Sequence, residues 1–230
     1  MTSGKTSNLF ELILASSIHD IKNSISLLLN KVDSLTTGLQ VGCPLNSEQQ
    51  LIQQQGTEIQ QNLIRLLAIY RIQNKQYFLN VEEHYLNDYL NEILEPQIAA
   101  CLANNIIVKL FCDNNLYAYF DRELITGLMY NIIGNASRYA HSKIDIQVNV
   151  NKNKQLFITI SDDGPGYPSQ LLDTTLSENS IISFDSGNTG LGLTFCSMIA
   201  EMHTNKNSHG YIQLSNQGIR QGACFTLFLP

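Results

Sequence analysis

Apolar residues recur at helical spacing through the first third of the chain. Residues 8–36 and 46–74 each carry an apolar stripe at intervals of three and four positions. A loop containing Gly38, Gly42 and Pro44 separates the two stretches. Two long amphipathic helices with so short a connection are expected to form an antiparallel hairpin, here over residues 1–76. Because a lone hairpin exposes its apolar stripe, we expect two copies to form a dimeric four-helix bundle.

The pattern changes at residue 77, where short apolar stretches alternate with helical ones. It predicts helices at 86–103, 122–140 and 193–203, and strands at 77–81, 106–111, 116–120, 144–150, 156–160, 211–214 and 223–229. Such an order favours an α+β fold, with a mixed sheet covered on one face by helices. We therefore predict a second domain over residues 77–230.

Turn residues predict how these strands connect. The stretches 106–111 and 116–120 are expected to form a strand pair that turns at Asp113-Asn114-Asn115. The stretches 144–150 and 156–160 are expected to form a hairpin over the polar residues between them. Residues 167–188 are polar and poorly periodic, which predicts a flexible loop, or lid.

Composition narrows the function classes. The formal net charge is −6 and no basic run occurs, which argues against a nucleic-acid-binding surface. The five cysteines form no Cys-x-x-Cys pair and are interpreted as reduced thiols of a cytosolic protein. No apolar stretch reaches the roughly 18 residues that a bilayer-spanning helix needs, and the N-terminus does not read as a signal peptide. We therefore expect a cytoplasmic protein without a membrane span.

Three short motifs carry candidate chemistry for binding a nucleotide. An apolar strand delivers Asp162 to its end, where the carboxylate is placed to accept a hydrogen bond from an amine such as that of adenine; Gly164 and Gly166 follow and allow a tight turn. Gly190 and Gly192 precede a helix whose free N–H groups favour phosphate. Asn131 and Asn135 lie one helical turn apart, and neutral oxygens on that face suit Mg2+.

In this order and spacing, the motifs resemble the N, G1 and G2 boxes of the ATP-binding domain shared by sensor histidine kinases and their relatives. The resemblance covers roughly residues 77–230 and implies a GHKL-type α/β-sandwich that binds ATP, with Mg2+ held by Asn135. The implied ATP-binding residues are Asn131, Asn135, Arg138, Tyr139, Asp162, Gly164, Gly166, Gly190, Leu191 and Gly192. Arg138 is placed to reach a phosphate, or is a surface arginine. Tyr139 packs near the adenine or belongs to the core.

The match departs from the family pattern at two places, both in the region that closes over the phosphates. Asn188 stands where the family often has a glycine, and Ser183-Phe184 is all that remains of a Phe-rich box in the lid. We therefore expect ATP affinity or the autokinase rate to be the property most affected.

The first predicted helix carries a histidine with a suggestive neighbourhood. Asp20 is adjacent to His19 and is able to fix its tautomer, and Asn23 lies one turn further on the same face. The stretch resembles the phospho-acceptor H box of histidine kinases, although Asn23-Ser24 replaces the common Thr-Pro. The resemblance implies that His19 accepts the γ-phosphoryl group, that Asp20 orients it, and that Asn23 supports phosphatase activity.

The resulting hypothesis is a cytoplasmic two-component histidine kinase that passes its phosphoryl group to a response-regulator receiver domain. It would act as a homodimer, with a separate sensor protein as a possible source of the signal. The alternative is a histidine phosphotransferase or adaptor that does not phosphorylate itself from ATP. A third class, a serine kinase or an ATP-gated clamp with the same ATP fold, is disfavoured by the H-box hairpin upstream.

Overall fold

The computed structural model describes residues 77–151, 155–172 and 191–230, together with residues 21, 24, 27, 65, 66, 68–70 and 72. All of these isolated earlier residues are helical. The predicted hairpin loop and dimer bundle, most of both predicted N-terminal helices, and the lid from residue 173 onwards lie outside the described residues. None of the helices in the described part of the chain combines the length and apolar character that crossing a membrane requires.

A mixed five-stranded sheet forms the centre of the unit made up of the described residues 78–151, 155–172 and 192–230. Its strands are β2 (Ile107–Phe111), β4 (Lys143–Val150), β5 (Leu156–Asp162), β8 (Tyr211–Ser215) and β9 (Cys224–Leu229), in the spatial order β2-β4-β5-β9-β8. Strand β2 runs parallel to β4, and the other neighbours are antiparallel. The predicted 144–150/156–160 hairpin is confirmed, and β5 extends two residues further so that Asp162 ends it.

Helices cover one face of this sheet. They are α1 (Leu86–Ala103), α2 (Arg122–Tyr139) and α4 (Leu191–Met202), with a single-turn helix α3 at Ser169–Leu172. Every second residue of β4 and β5 is buried, including Ile144, Ile146, Ile158 and Ile160. Because alternate residues of a strand point to opposite faces, the core lies on one face and the other face is more exposed. The predicted α+β class is confirmed, and α4 begins two residues earlier than predicted.

The prediction of a strand at residues 77–81 is wrong. The strand β1 runs from Val81 to Tyr85 and pairs with β3 (Tyr117–Asp121) in a separate two-stranded sheet. Within β1 only His84 is partly buried, so no alternation of apolar and polar residues marks this strand in the sequence. The chain joins the sheet at Asn80, whose N–H donates to Asp121 Oδ2 at 2.9 Å, whereas Phe78 is 89% exposed.

The predicted pairing of residues 106–111 with 116–120 is also wrong, although both stretches are strands. Strand β2 pairs with β4, and β3 pairs with β1. The turn between them is closed locally, because the N–H of Asn115 donates to Asp113 Oδ1. The Phe120 ring packs against His84 and Tyr89, and this long-range burial determines where β3 lies.

Two small elements near the C-terminus had no counterpart in the prediction. Strands β6 (Thr204–Asn205) and β7 (Ser208–His209) form a short hairpin, and a 3-10 turn follows at Ile219–Gln221. The pair β8 and β9 agrees with the predicted closing strands.

Candidate functional site

Asp162 is held at the end of β5 by the backbone around it. The side chain is buried, and its Oδ1 accepts hydrogen bonds from the N–H of Gly164 at 2.8 Å and of Ala223 at 3.3 Å. Burial raises the pKa of the Asp162 carboxyl above its ordinary value, against the two N–H groups, which lower it. Both hydrogen bonds end on Oδ1, and none of the described residues donates a hydrogen bond to Oδ2. This geometry suits a carboxylate that accepts a hydrogen bond from a ligand.

The loop after β5 depends on glycine at two positions. A methyl group at Gly164 would lie 2.5 Å from the Tyr139 carbonyl oxygen, so only glycine allows the loop to approach the end of α2. Gly166 has φ +81°, a backbone conformation that favours glycine. The next residue, Tyr167, is fixed by the Asn216 side chain, which accepts from its N–H at 2.7 Å and donates to its carbonyl at 2.9 Å.

Asp163 anchors the loop on the other side. Its Oδ1 accepts hydrogen bonds from the N–H groups of His141, Ser142 and Lys143, and its Oδ2 accepts one from the Ser142 hydroxyl at 2.6 Å. Burial alone would raise the pKa of the Asp163 carboxyl, but these four donors together hold it well below its usual range. The adjacent carboxyls of Asp162 and Asp163 therefore differ: described residues donate only to Oδ1 of Asp162, whereas both oxygens of Asp163 accept hydrogen bonds that hold the fold.

Helices α2 and α4 meet at Asn131 and Gly192. The Asn131 amide is buried, and its Nδ2 donates to the Gly192 carbonyl at 2.9 Å and to Cys196 Sγ at 3.3 Å. A methyl group at Gly192 would lie 2.7 Å from Asn131 Oδ1. The same Oδ1 is buried without a hydrogen-bond partner. The predicted N-box and G2-box residues are thus in direct contact.

The other predicted residues of α2 lie further towards its C-terminal end. Asn135 is half-buried one turn after Asn131, and its side chain makes no hydrogen bond to another described residue. Arg138 and Tyr139 are exposed. Leu191 begins α4. The remaining predicted site residues, His19, Asp20, Asn23 and Gly190, lie outside the described residues.

Three residues that shape this site were missed by the sequence analysis. Asp163 follows Asp162 directly, so only the strand register distinguishes their roles. Asn216 directly follows β8 and Ala223 directly precedes β9, and each bonds to a residue more than 45 positions away in sequence. No local sequence signal marks a contact of this range.

The chain is similar in sequence to one protein family and to several sensor kinases. Residues 120–230 match the family described as histidine kinase-, DNA gyrase B- and HSP90-like ATPases. The adaptive-response sensory kinase SasA of Synechocystis is 25% identical over 95% of this chain and 58% of its own length. The sensor histidine kinase RppB of the same organism is 22% identical over 94% of this chain and 48% of its own. The chain therefore spans about half the length of these curated relatives.

Solved structures show the same fold. The Acinetobacter baumannii histidine kinase AdeS aligns with a TM-score of 0.66 at 23% identity, covering 92% of this chain and 96% of that one. The catalytic domain of the histidine kinase ThkA aligns with a TM-score of 0.51 at 22% identity, covering 66% of this chain and 97% of that one. Residues 120–230 are therefore similar to the ATPase domain of the histidine kinase-, DNA gyrase B- and HSP90-like type, and nearly the whole chain is similar to part of the sensor kinases SasA and RppB.

Proposed function

We propose that the chain is a two-component histidine kinase that binds ATP, phosphorylates His19 and passes the phosphoryl group to an aspartate on a response-regulator receiver domain. The observation that carries the proposal is the geometry of Asp162. Its Oδ1 is occupied by two backbone donors, and its Oδ2 is left for a ligand amine. The kinase names of the relatives SasA and RppB support the same activity.

The adenine and the phosphates would bind at opposite sides of one site. Asp162 accepts a hydrogen bond from the exocyclic amine of adenine, beside the turn formed by Gly164 and Gly166. The phosphates face the N-terminus of α4, where Gly190, Leu191 and Gly192 supply backbone N–H groups and the helix dipole favours negative charge. Asn131 holds this helix end in place through the Gly192 carbonyl. Arg138 and Tyr139 complete the proposed set, on phosphate and adenine respectively.

The residues present fit a magnesium ion bound together with the phosphates. Asn135 offers an amide oxygen that has no protein partner among the described residues, and the buried Oδ1 of Asn131 lies one turn away. Mg2+ is usually held by few protein oxygens together with waters and substrate phosphates. Asn135 would hold the ion, whose chemistry is to neutralise charge on the transferring phosphoryl group.

The transfer itself involves residues outside the described region. A neutral ring nitrogen of His19 attacks the γ-phosphorus of ATP, the bond from that phosphorus to the β–γ bridging oxygen breaks, and ADP leaves. Asp20 accepts a hydrogen bond from the N–H of the other ring nitrogen, which directs the lone pair of the first towards phosphorus. In the second step an aspartate oxygen of the receiver domain attacks the same phosphorus, and the His19 nitrogen is the leaving group.

The decisive experiment is incubation of the full chain with γ-labelled ATP and Mg2+. We expect label that is lost in acid and retained in alkali in the parent, and none in His19→Ala. ATP binding should persist in His19→Ala, because the nucleotide residues belong to another part of the chain. If the parent binds ATP but acquires no label, the chain is a histidine phosphotransferase or adaptor, which is the alternative function.

Three further features belong to this proposal. Asn23 would orient a water that removes the phosphoryl group from the regulator, so Asn23→Ala should slow dephosphorylation of the regulator and leave labelling of His19 largely intact.

The apolar stripes of residues 8–36 and 46–74 support a homodimer, and light scattering that gave a monomer mass would oppose it. We place the protein in the cytoplasm, where ATP is available, and infer that a separate sensor protein supplies the signal.

A further inference from the structure

The small sheet formed by β1 and β3 has one covered face and one exposed face. On the covered face the buried Phe120 ring packs against Tyr89 of α1. Because paired residues of an antiparallel sheet lie on the same side and alternate along each strand, the register defines the other face. This aromatic face consists of Val81, Glu83, Tyr85, Tyr117 and Tyr119.

The side chains of the aromatic face are ordered and open to solvent. Tyr85 is 58% exposed, Tyr119 52% and Val81 47%. The Tyr119 hydroxyl donates a hydrogen bond to the carboxylate of Glu83, which faces it across the two strands. The Tyr117 ring meets the Tyr119 ring edge to face. Exposed apolar patches with a polar rim mark protein interaction sites, and tyrosine is among the residues that contribute most to binding.

The charge around this face has one sign. The segments that build it, residues 77–90 and 112–121, contain no lysine or arginine, and their acidic residues are Glu82, Glu83, Asp88, Asp113 and Asp121. Among these five only Asp121 is buried. The next residue, Arg122, is committed to the covered side, where it pairs with Glu92 at 2.7 Å and lies over the Tyr89 ring.

We propose that the aromatic face docks a partner protein through an arginine-bearing amphipathic segment. Apolar side chains of that segment would lie on the tyrosine rings, and its guanidinium groups would meet Glu83 and the faces of those rings. Arginine suits both roles, because its planar cation stacks on aromatic rings and pairs with carboxylates.

Charge complementarity favours this occupant over the others. A second copy of the chain that docked by the same face would oppose carboxylates to carboxylates, which is unfavourable. Nucleic acid and an anionic membrane surface carry the same sign of charge as the face and are disfavoured for the same reason. The inference stands independently of ATP binding, because the argument uses none of the proposed nucleotide residues.

A peptide that carries tryptophan tests the proposal on the full chain. Because the chain contains no tryptophan, an amphipathic peptide of leucine and arginine at helical spacing with one tryptophan can be followed by its own fluorescence anisotropy. We expect saturable binding of this peptide. A matched peptide with glutamate in place of every arginine should bind at least about tenfold more weakly.

The first pair of variants tests whether the tyrosines form the docking surface. Tyr85→Ser should weaken binding of the leucine–arginine peptide by about tenfold, since a central tyrosine is lost. Residue 85 is the N-cap of α1, and serine is a favoured N-cap residue, so the helix keeps its start. The matched control is Phe111→Ser, which removes a 49% exposed aromatic ring from the five-stranded sheet and should bind like the parent.

The second pair tests the charge. Glu83→Lys should weaken binding by about fivefold or more, because an attraction becomes a repulsion. Glu95→Lys, at an exposed position of α1, changes the net charge equally and should have less than a twofold effect. Urea unfolding identifies any variant that has lost its fold; if Glu83→Lys has, the Tyr85→Ser comparison decides alone.

Three results would overturn the proposal. They are an absence of binding to the parent, equal binding of the arginine and glutamate peptides, and equal losses in the control and test variants. A peptide that does not bind, together with a lower mass of Tyr85→Ser in light scattering, would assign the aromatic face to a second copy of the chain instead.

Discussion

The Asn131 side chain donates a hydrogen bond to the main-chain carbonyl of Gly192 at 2.9 Å, and so connects α2 to the first turn of α4. The contact leaves no space between them, because a methyl group at Gly192 would lie 2.7 Å from Asn131 Oδ1. Asn131 is buried and also contacts Cys196, so it has little room to move away. The position of the proposed phosphate-binding helix end therefore depends on the absence of a side chain at residue 192.

Gly192→Ala should weaken ATP binding and lower stability. The added methyl group displaces either Asn131 or the start of α4, and overpacking of this kind costs about 1–3 kcal/mol. The matched control is Gly134→Ala on α2, where an added methyl group meets nothing within 4 Å. In an exposed helix position that change should stabilise by about 0.5–1 kcal/mol. Calorimetric titration with ATP and urea unfolding of both variants make the comparison. Equal ATP affinity in the two would contradict the role given to Gly192.

Asp162→Asn should weaken nucleotide binding strongly and keep the fold. The amide oxygen can still accept from Gly164 and Ala223, so the turn survives. The amide NH2 then replaces Oδ2 and presents donors to the adenine amine. Losing a hydrogen bond to a charged acceptor costs about 1.5–3 kcal/mol, which is about 10- to 150-fold in affinity. The measurement pairs an ATP titration with a thermal melt. A variant that bound ATP as tightly as the parent would show that Asp162 does not contact the base.

A buried histidine should make the stability of the domain sensitive to mild acid. His203 accepts from the Asp121 N–H through Nε2 at 3.0 Å, and its Nδ1 bonds with the Ile199 carbonyl at 2.8 Å. Burial lowers the pKa of His203 below the ordinary value for histidine, although the Ile199 carbonyl and the Asp121 charge act in the opposite direction. Protonation would remove the acceptor that Asp121 needs.

The sign of the pH effect follows from this lowered pKa. Below about pH 6.5 the unfolded imidazole binds a proton before the folded one does, so the unfolded state gains protons and stability falls as the pH falls. Urea unfolding between pH 7.5 and pH 5.5 should therefore show a smaller loss in His203→Gln than in the parent. The other histidines are common to both proteins and cancel in the difference. An identical pH dependence in the two would remove His203 as the cause.

Much of the fold was predictable because apolar periodicity reflects local burial. Helices α1 and α2 and the β4–β5 hairpin were predicted to within two residues, since each has a strong apolar stripe or alternation. The partners of β2 and β3 were not predictable in the same way. Turn residues at Asp113-Asn114-Asn115 indicate that the chain reverses, but they do not determine which strand each segment joins. That choice depends on long-range packing such as that of Phe120 against Tyr89.

The residues of the candidate site also fall into two groups, those that a local motif predicts and those that depend on long-range contacts. Motif spacing predicts Asp162, Gly164 and Asn131 as site residues, because each requirement is local to one strand end, one turn or one helix face. The residues that hold these three in position could not be predicted from the sequence, because their contacts depend on the fold. Asn216 and Ala223 lie beside the ends of strands that are distant in sequence. Asp163 has the same side chain as its neighbour Asp162, so the sequence does not distinguish their roles. Their hydrogen bonds could be assigned only when the loop after β5 and its surroundings were in place.

Asn216→Ala should weaken ATP binding although Asn216 has no proposed contact with the nucleotide. Its side chain makes two hydrogen bonds to the backbone of Tyr167 and lies against Gly166, so it fixes the loop in its left-handed turn. Each such bond contributes about 0.5–1.5 kcal/mol to the ordered loop. We expect a loss in ATP affinity of about three- to thirtyfold if half to most of this energy is expressed in binding.

Asn216→Asp is the matched variant, because its carboxylate can still accept from the Tyr167 N–H but cannot donate to the Tyr167 carbonyl. Its affinity should therefore lie below that of the parent, and the stability of both variants should be compared by urea unfolding. Hydrogen exchange of the loop amides gives a readout that the nucleotide does not influence. Faster exchange at Tyr167 with unchanged ATP affinity would show that loop order and binding are independent, which would contradict the positioning role of Asn216.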